Sequence, residues 1–179
     1  QAARRYYERA LAVYEEALGP DHPQVAMALT NLGNVLIDLG DQERAGTLYE
    51  RALDIRVETL GPEHPDVAYT LDGLATLADT TGDPELALEY LQRSLPIWEN
   101  ALGTNHPQTA GTLEEIADVC RRLGRNGEAD EAAARGLLEA QGFEPSEIPF
   151  PLRYQERPDT YQAQIDSEDA RRTPDWMVD

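Results

Sequence analysis

Apolar side chains recur along this chain at steps of three and four. Val25, Leu29, Leu32, Leu36 and Leu39 form one such stripe, closed by Gly40, and that spacing places them on one face of an α-helix. A second stripe follows a short turn, where Ala45, Leu48, Tyr49, Ala52, Leu53 and Leu60 share a face that ends at Gly61. The same alternation of helix and turn runs on, with Pro23, Pro65 and Pro107 each fitting the first turn of a helix, where a missing N–H costs nothing. The histidine before each of these prolines is then the expected cap residue. The pattern predicts helices over 2–18, 23–39, 43–60, 65–81, 84–102, 107–123 and 126–141.

The turns are copies of one another. Leu18-Gly19-Pro20-Asp21-His22-Pro23 returns as Leu60-Gly61-Pro62-Glu63-His64-Pro65 and as Leu102-Gly103-Thr104-Asn105-His106-Pro107, a period of 42 residues (18 to 60 to 102). Ala26/Ala68/Ala110, Leu29/Leu71/Leu113, Gly40/Gly82/Gly124, Ala45/Ala87/Ala129 and Arg51/Arg93/Arg135 keep the same register. A fixed period of this length marks a repeat array in which each unit buries the apolar face of its neighbour. The units are expected at 18–59, 60–101 and 102–141, preceded at 1–17 by the second helix of a further unit, so the chain reads as a fragment opening halfway through a repeat.

Asn31-Leu32-Gly33-Asn34 through Gly40-Asp41 to Ala45, Tyr49 and Ala52, together with the Leu60-to-Ala68 and Tyr49-to-Leu53 runs, resemble the tetratricopeptide repeat in its 42-residue, kinesin-light-chain-like form. The resemblance covers about residues 1–141. It implies an all-α fold, a right-handed superhelical solenoid of antiparallel helix pairs. The third unit departs most, with Ala117 for Gly33, Ala133 for Tyr49 and Gly136 for Ala52.

The resemblance also implies a concave groove lined by one face of each first helix. Carried over position by position, that face is Met27, Thr30, Asn34, Ile37 and Asp38 in the first unit, and Tyr69, Asp72, Thr76, Asp79 and Thr80 in the second. In the third it is Gly111, Glu114, Asp118, Arg121 and Arg122. The implied function is protein–protein interaction or scaffolding without catalysis. Chaperone-binding members clamp a terminal carboxylate with Lys, Arg and Asn, whereas only Asn34 stands at such a place here and Thr30, Asp72 and Glu114 fill the others. An acidic tail is repelled by that surface, and a basic or neutral peptide with apolar anchors, touching Tyr69, Met27 and Ile37, suits it better. A different reading makes the array the sensor segment of a larger regulatory NTPase or transcription regulator. Light-chain-type repeats also bind peptides with a tryptophan flanked by acids, so Asp175-Trp176-Met177-Val178-Asp179 is a candidate for docking on its own or a neighbouring groove, against which the groove's acidity counts.

Composition narrows the chemistry. The chain has 15 basic side chains, every one Arg, against 34 acidic ones, for a net charge of −19. Such a surface repels a phosphate backbone, and without lysine there is no Walker-type loop or Schiff-base lysine in these residues. No nucleic acid, membrane, metal or cofactor is implied as a ligand. No apolar run is long enough to span a bilayer, and the expected setting is cytoplasmic. Cys120 is the only cysteine and falls in register with Leu36 and Ala78, which predicts a small buried hydrophobe. His22, His64 and His106 lie one repeat apart, along the array rather than around one ion. Arg9, Arg51, Arg93 and Arg135 are expected to pair with neighbouring Glu or cover apolar surface. An enzyme needs an acid pair that no position singles out. Tyr6 and Tyr7 on the leading helix are candidates for dimer contacts. From Gly142 the register is lost, and prolines alternate with Phe143, Ile148, Phe150, Leu152 and Tyr154, which are expected to pack on the last helix as an irregular cap. Residues near 159–171 are expected to add one short helix.

Overall fold

A computed structural model describes residues 2–140 and Gly142. The expected cap after Gly142, the short helix near 159–171 and the docking of Trp176 lie outside the described residues. Within them the chain forms seven α-helices and no strand: α1 Ala2–Leu18, α2 Pro23–Asp38, α3 Gln42–Leu60, α4 Pro65–Thr81, α5 Pro84–Leu102, α6 Pro107–Arg122 and α7 Asn126–Ala140. Their ends are set by the repeated turn. His22, His64 and His106 hold an extended backbone, and the Nδ1 of each accepts from the amide two residues on, at 3.2 Å from Gln24, 3.1 Å from Asp66 and 3.1 Å from Gln108. At the other end Gly82 takes φ 83 and ψ 28, a left-handed conformation that lets its N–H reach back to the carbonyls of Ala78 and Asp79.

Each helix packs on the next in sequence, most closely within the pairs α2/α3, α4/α5 and α6/α7. The core follows the stripes seen in the sequence. Val25, Ala26 and Leu29 of α2 close over Ala52 and Ile55 of α3, and Val67, Ala68 and Leu71 of α4 close over Ile97 and Trp98 of α5. A longer cluster runs from Ala75 through Leu91, Leu95 and Ile116 to Ala132, and the buried Cys120 belongs to it. In α7 the small surface is used for close approach, since a Cβ on Gly136 would stand 3.3 Å from the Leu113 side chain. Polar groups tie successive units together. Arg56 is buried, donates to the Asp66 carbonyl at 2.9 Å and to the Thr70 hydroxyl, and lies 5.9 Å over the Tyr69 ring. Arg51 pairs with Glu15 at 2.7 Å, and Arg135 with Glu99 at 2.5 Å.

Candidate functional site

The first helices α2, α4 and α6 follow one another along the array, and the two steps between them differ. At the first, the buried Tyr49 of α3 fills the space. A Cβ on Gly33 of α2 would lie 3.1 Å from its ring and one on Gly73 of α4 only 2.5 Å, so the ring is held between two glycine backbones. The hydroxyl donates to Asn34 Oδ1, and Asn34 Nδ2 in turn reaches the Tyr69 hydroxyl at 3.4 Å. Burial pushes the Tyr49 phenol far above its ordinary range, so it stays a donor at any working pH. Helices α2 and α4 touch directly here, and the groove floor is shut.

One repeat later Leu91 takes the place of Tyr49, Ala75 that of Gly33 and Glu115 that of Gly73. The narrower side chain leaves a hollow of about 500 Å³ between α4 and α6. Ala75, Ala87, Leu91 and Val119 form its apolar part, and Asp79, Glu115, Asp118, Arg121 and Arg122 surround it. Arg122 is bonded to Asp79, and Arg121 to Asp118 at 2.5 Å, so the basic pair is already matched by acids. Among the described residues Glu115 has no such ion-pair partner. It stands exposed at the rim of the hollow, where desolvation by the groups around it raises its carboxyl above the ordinary range, helped by repulsion from Asp72, Asp79 and Asp118. A cation brought into the hollow relieves that repulsion.

The residues anticipated for the groove divide into three groups. Asn34, Tyr69, Thr76, Asp79, Asp118, Arg121 and Arg122 are brought together around the Tyr49 contact and the hollow, as just described. Met27, Asp38, Thr80 and Glu114 are exposed and Ile37 and Gly111 are half-buried, with no bond among them that builds a site. Thr30 and Asp72 are corrected. Thr30 is wholly buried and its hydroxyl donates to the Ala26 carbonyl at 2.9 Å, a helix-internal bond that leaves nothing for a ligand. Asp72 is a structural tie, accepting from Trp98 Nε1 at 2.9 Å and Gln108 Nε2 at 3.2 Å, and so it joins α4, α5 and α6. Burial raises its carboxyl, opposed by hydrogen bonds from Ser94, Trp98 and Gln108. Glu115 is not among the anticipated residues, because its register partner Gly73 is a packing position. The signal for it is the change from Tyr49 to Leu91 on the helix behind it.

The tetratricopeptide repeat pattern matches residues 1–56, 43–100 and 80–137, together more than half of the chain. This chain belongs to the tetratricopeptide repeat family. No curated protein matches it. Among solved structures, BtubC (BKLC) from P. vanneervenii superposes with a TM-score of 0.71 at 22% identity, over 86% of this chain and 61% of that one. A putative kinesin light chain with nearly identical TPR-like repeats from Podosopora anserina gives 0.71 at 25% identity, over 86% and 72%. A point variant of that protein gives 0.71 at 24%, over 86% and 71%. The chain thus spans less than two thirds of BtubC. Tetratricopeptide repeats generally mediate protein–protein interaction and are typically non-catalytic scaffolds, and this array is all-helical and kinesin-light-chain-like in its repeats. No helix among the described residues is long and apolar enough to cross a membrane.

Proposed function

We propose that this tetratricopeptide array holds an extended protein segment along the groove formed by α2, α4 and α6, and that the segment is basic or neutral with apolar anchors. The hollow beside Leu91 carries this reading. Where the first step is plugged by the array's own tyrosine, the second offers an unfilled apolar seat next to a carboxylate that no cation among the described residues pairs with. A partner's side chain with an apolar stem and a positive tip matches both features, its stem against Ala75, Leu91 and Val119 and its charge toward Glu115. Tyr69 and Met27, each 43% exposed, continue the apolar surface toward the first unit. In a larger regulatory protein the same groove would be the sensing surface. No chemistry is assigned to it.

The test uses labelled peptides in which Leu alternates with Arg, with Gln or with Glu, read by fluorescence anisotropy. The Arg series should bind best and the Glu series not at all. Glu115→Gln should weaken the Arg series roughly tenfold, about 1.4 kcal/mol. Leu91→Tyr combined with Ala75→Gly and Glu115→Gly copies the plugged step into the open one and should abolish binding by every series. Equal binding of the Glu series, or binding that survives the plug, overturns the proposal.

A further inference from the structure

We infer that the slot between α3 and α5 receives an arginine side chain presented by a partner protein. The slot holds about 400 Å³ and is lined by Leu74 and Leu77 of α4, Gly46 and Glu50 of α3, and Leu86 and Tyr90 of α5. It shares no lining residue with the hollow beside Leu91, and it lies between two whole units of the array.

The neighbouring repeats show what belongs there. One repeat earlier, Glu8 stands at the place of Glu50, Arg4 at that of Gly46 and Arg44 at that of Leu86. Arg4 bonds Glu8 at 2.8 Å and Arg44 approaches it at 3.8 Å, so that acid is neutralised by two arginines of the chain itself. One repeat later the acid is Gln92, and the place of Gly46 is taken by Leu88, which is 3% exposed. That step has no charge to match and no space to fill. The middle step alone keeps the acid while losing both arginines, and its glycine omits the side chain that Arg4 supplies. No cation among the described residues pairs with Glu50, and Glu43 adds a second carboxylate to the lining. The Tyr90 phenol is pushed up by burial and then by the charges of Glu50 and Glu89, opposed by Arg93, which sets the negative field of Glu50 beside the ring. A guanidinium on an apolar stem matches the whole lining, its stem against Leu77 and Leu86 and its planar head between Glu50 and the Tyr90 ring. A chain of net charge −19 draws such a basic partner toward it.

NMR on the whole isotope-labelled chain tests this, with a capped alanine-based helical peptide carrying one Arg between two Leu as the probe. The amide signals of Gly46, Leu77 and Tyr90 should move and saturate, and replacing the peptide's Arg by Gln should raise the Kd read from those signals at least tenfold. Glu50→Gln should do the same at an unchanged melting temperature, since the side chain is exposed. Gly46→Arg with Leu77→Val copies the earlier step and should fold yet exclude the peptide. Val35 is the register partner of Leu77, and the shorter side chain relieves the 3.3 Å approach that a Cβ at Gly46 makes to it. Glu115→Gln should leave these signals responding as before, which separates the slot from the groove. Signals in the slot that do not move, or equal affinity for the Gln peptide, overturn the inference. So does a slot that accepts the peptide only once Arg153, Arg157, Arg171 and Arg172 are replaced by Gln, which gives it to the chain's own C-terminal segment, or a dimer in sedimentation that Glu50→Gln dissolves, which gives it to a second copy.

Discussion

Glu131 on α7 is 6% exposed, and its Oε1 has no hydrogen-bond partner among the described residues. Burial pushes its carboxyl up to about 7, opposed by the charge of Arg135 and reinforced by Glu128. The sign of the resulting pH dependence follows. In the unfolded chain the group ionises near its ordinary 4.5, whereas in the folded chain it keeps its proton until about 7. The native state therefore binds more protons across that window, and its stability falls as pH rises through it. Glu131→Gln should remove this slope and leave the protein more stable than wild type at pH 8 by about 1–3 kcal/mol. Urea titrations at pH 4.5, 6 and 8 measure the difference, and a variant that is less stable at pH 8 refutes the assignment. Asp72 carries a raised carboxyl too, but its bonds to Trp98 and Gln108 make it a joint between helices, and its removal would confound the reading.

At the scale of elements, α5 contains a proline that its periodicity concealed. Pro96 lies inside Pro84–Leu102 on the exposed side, lacks the N–H that would bond the Gln92 carbonyl, and costs a helix interior about 3 kcal/mol. The helix runs through it because Leu91, Leu95, Ile97 and Trp98 are buried, each worth about 1.5–3 kcal/mol. Packing outweighs the missing bond. Pro96→Ala should restore the bond and stabilise by about 1–2 kcal/mol after the entropy it returns to the unfolded chain. A higher urea midpoint with an unchanged slope is the expected result, and a lower midpoint would show that the proline itself is needed. This helix also shows what could be seen beforehand. All seven helices were legible to within a residue or two, because His-Pro and Gly at the turns are local instructions that need no tertiary context. The site was only half legible. Position-by-position transfer named Asp79, Asp118, Arg121 and Arg122, which line the hollow, but it also named Thr30, which its neighbours bury, and Asp72, whose carboxylate is taken up by Trp98 and Gln108. It also passed over Glu115, since a hollow is made by what a second helix lacks and no single helix face displays that.

Across the whole molecule, two electrostatic effects oppose each other. Among the described residues, ion pairs that join successive units include Arg44 with Glu8 at 3.8 Å, Arg51 with Glu15, Arg122 with Asp79, and Arg135 with Glu99. Three of them are substantially exposed, and such pairs contribute about 0.2–1 kcal/mol each. Against them stand 34 acids and 15 arginines on a chain of 179 residues, a repulsion spread over every part of the array. Raising ionic strength from about 10 mM to about 0.5 M shortens the screening length from roughly 30 Å to a few ångströms. That removes the long-range repulsion almost entirely and trims only the contact pairs. Melting temperature should therefore rise with sodium chloride by several degrees, while binding of the Arg-containing peptide should weaken. One salt titration gives both readouts, and their opposite directions guard against a general effect of salt on solubility. A melting temperature that falls would place the stability of this array in its few ion pairs, and the net charge would then be a passive property of its surface.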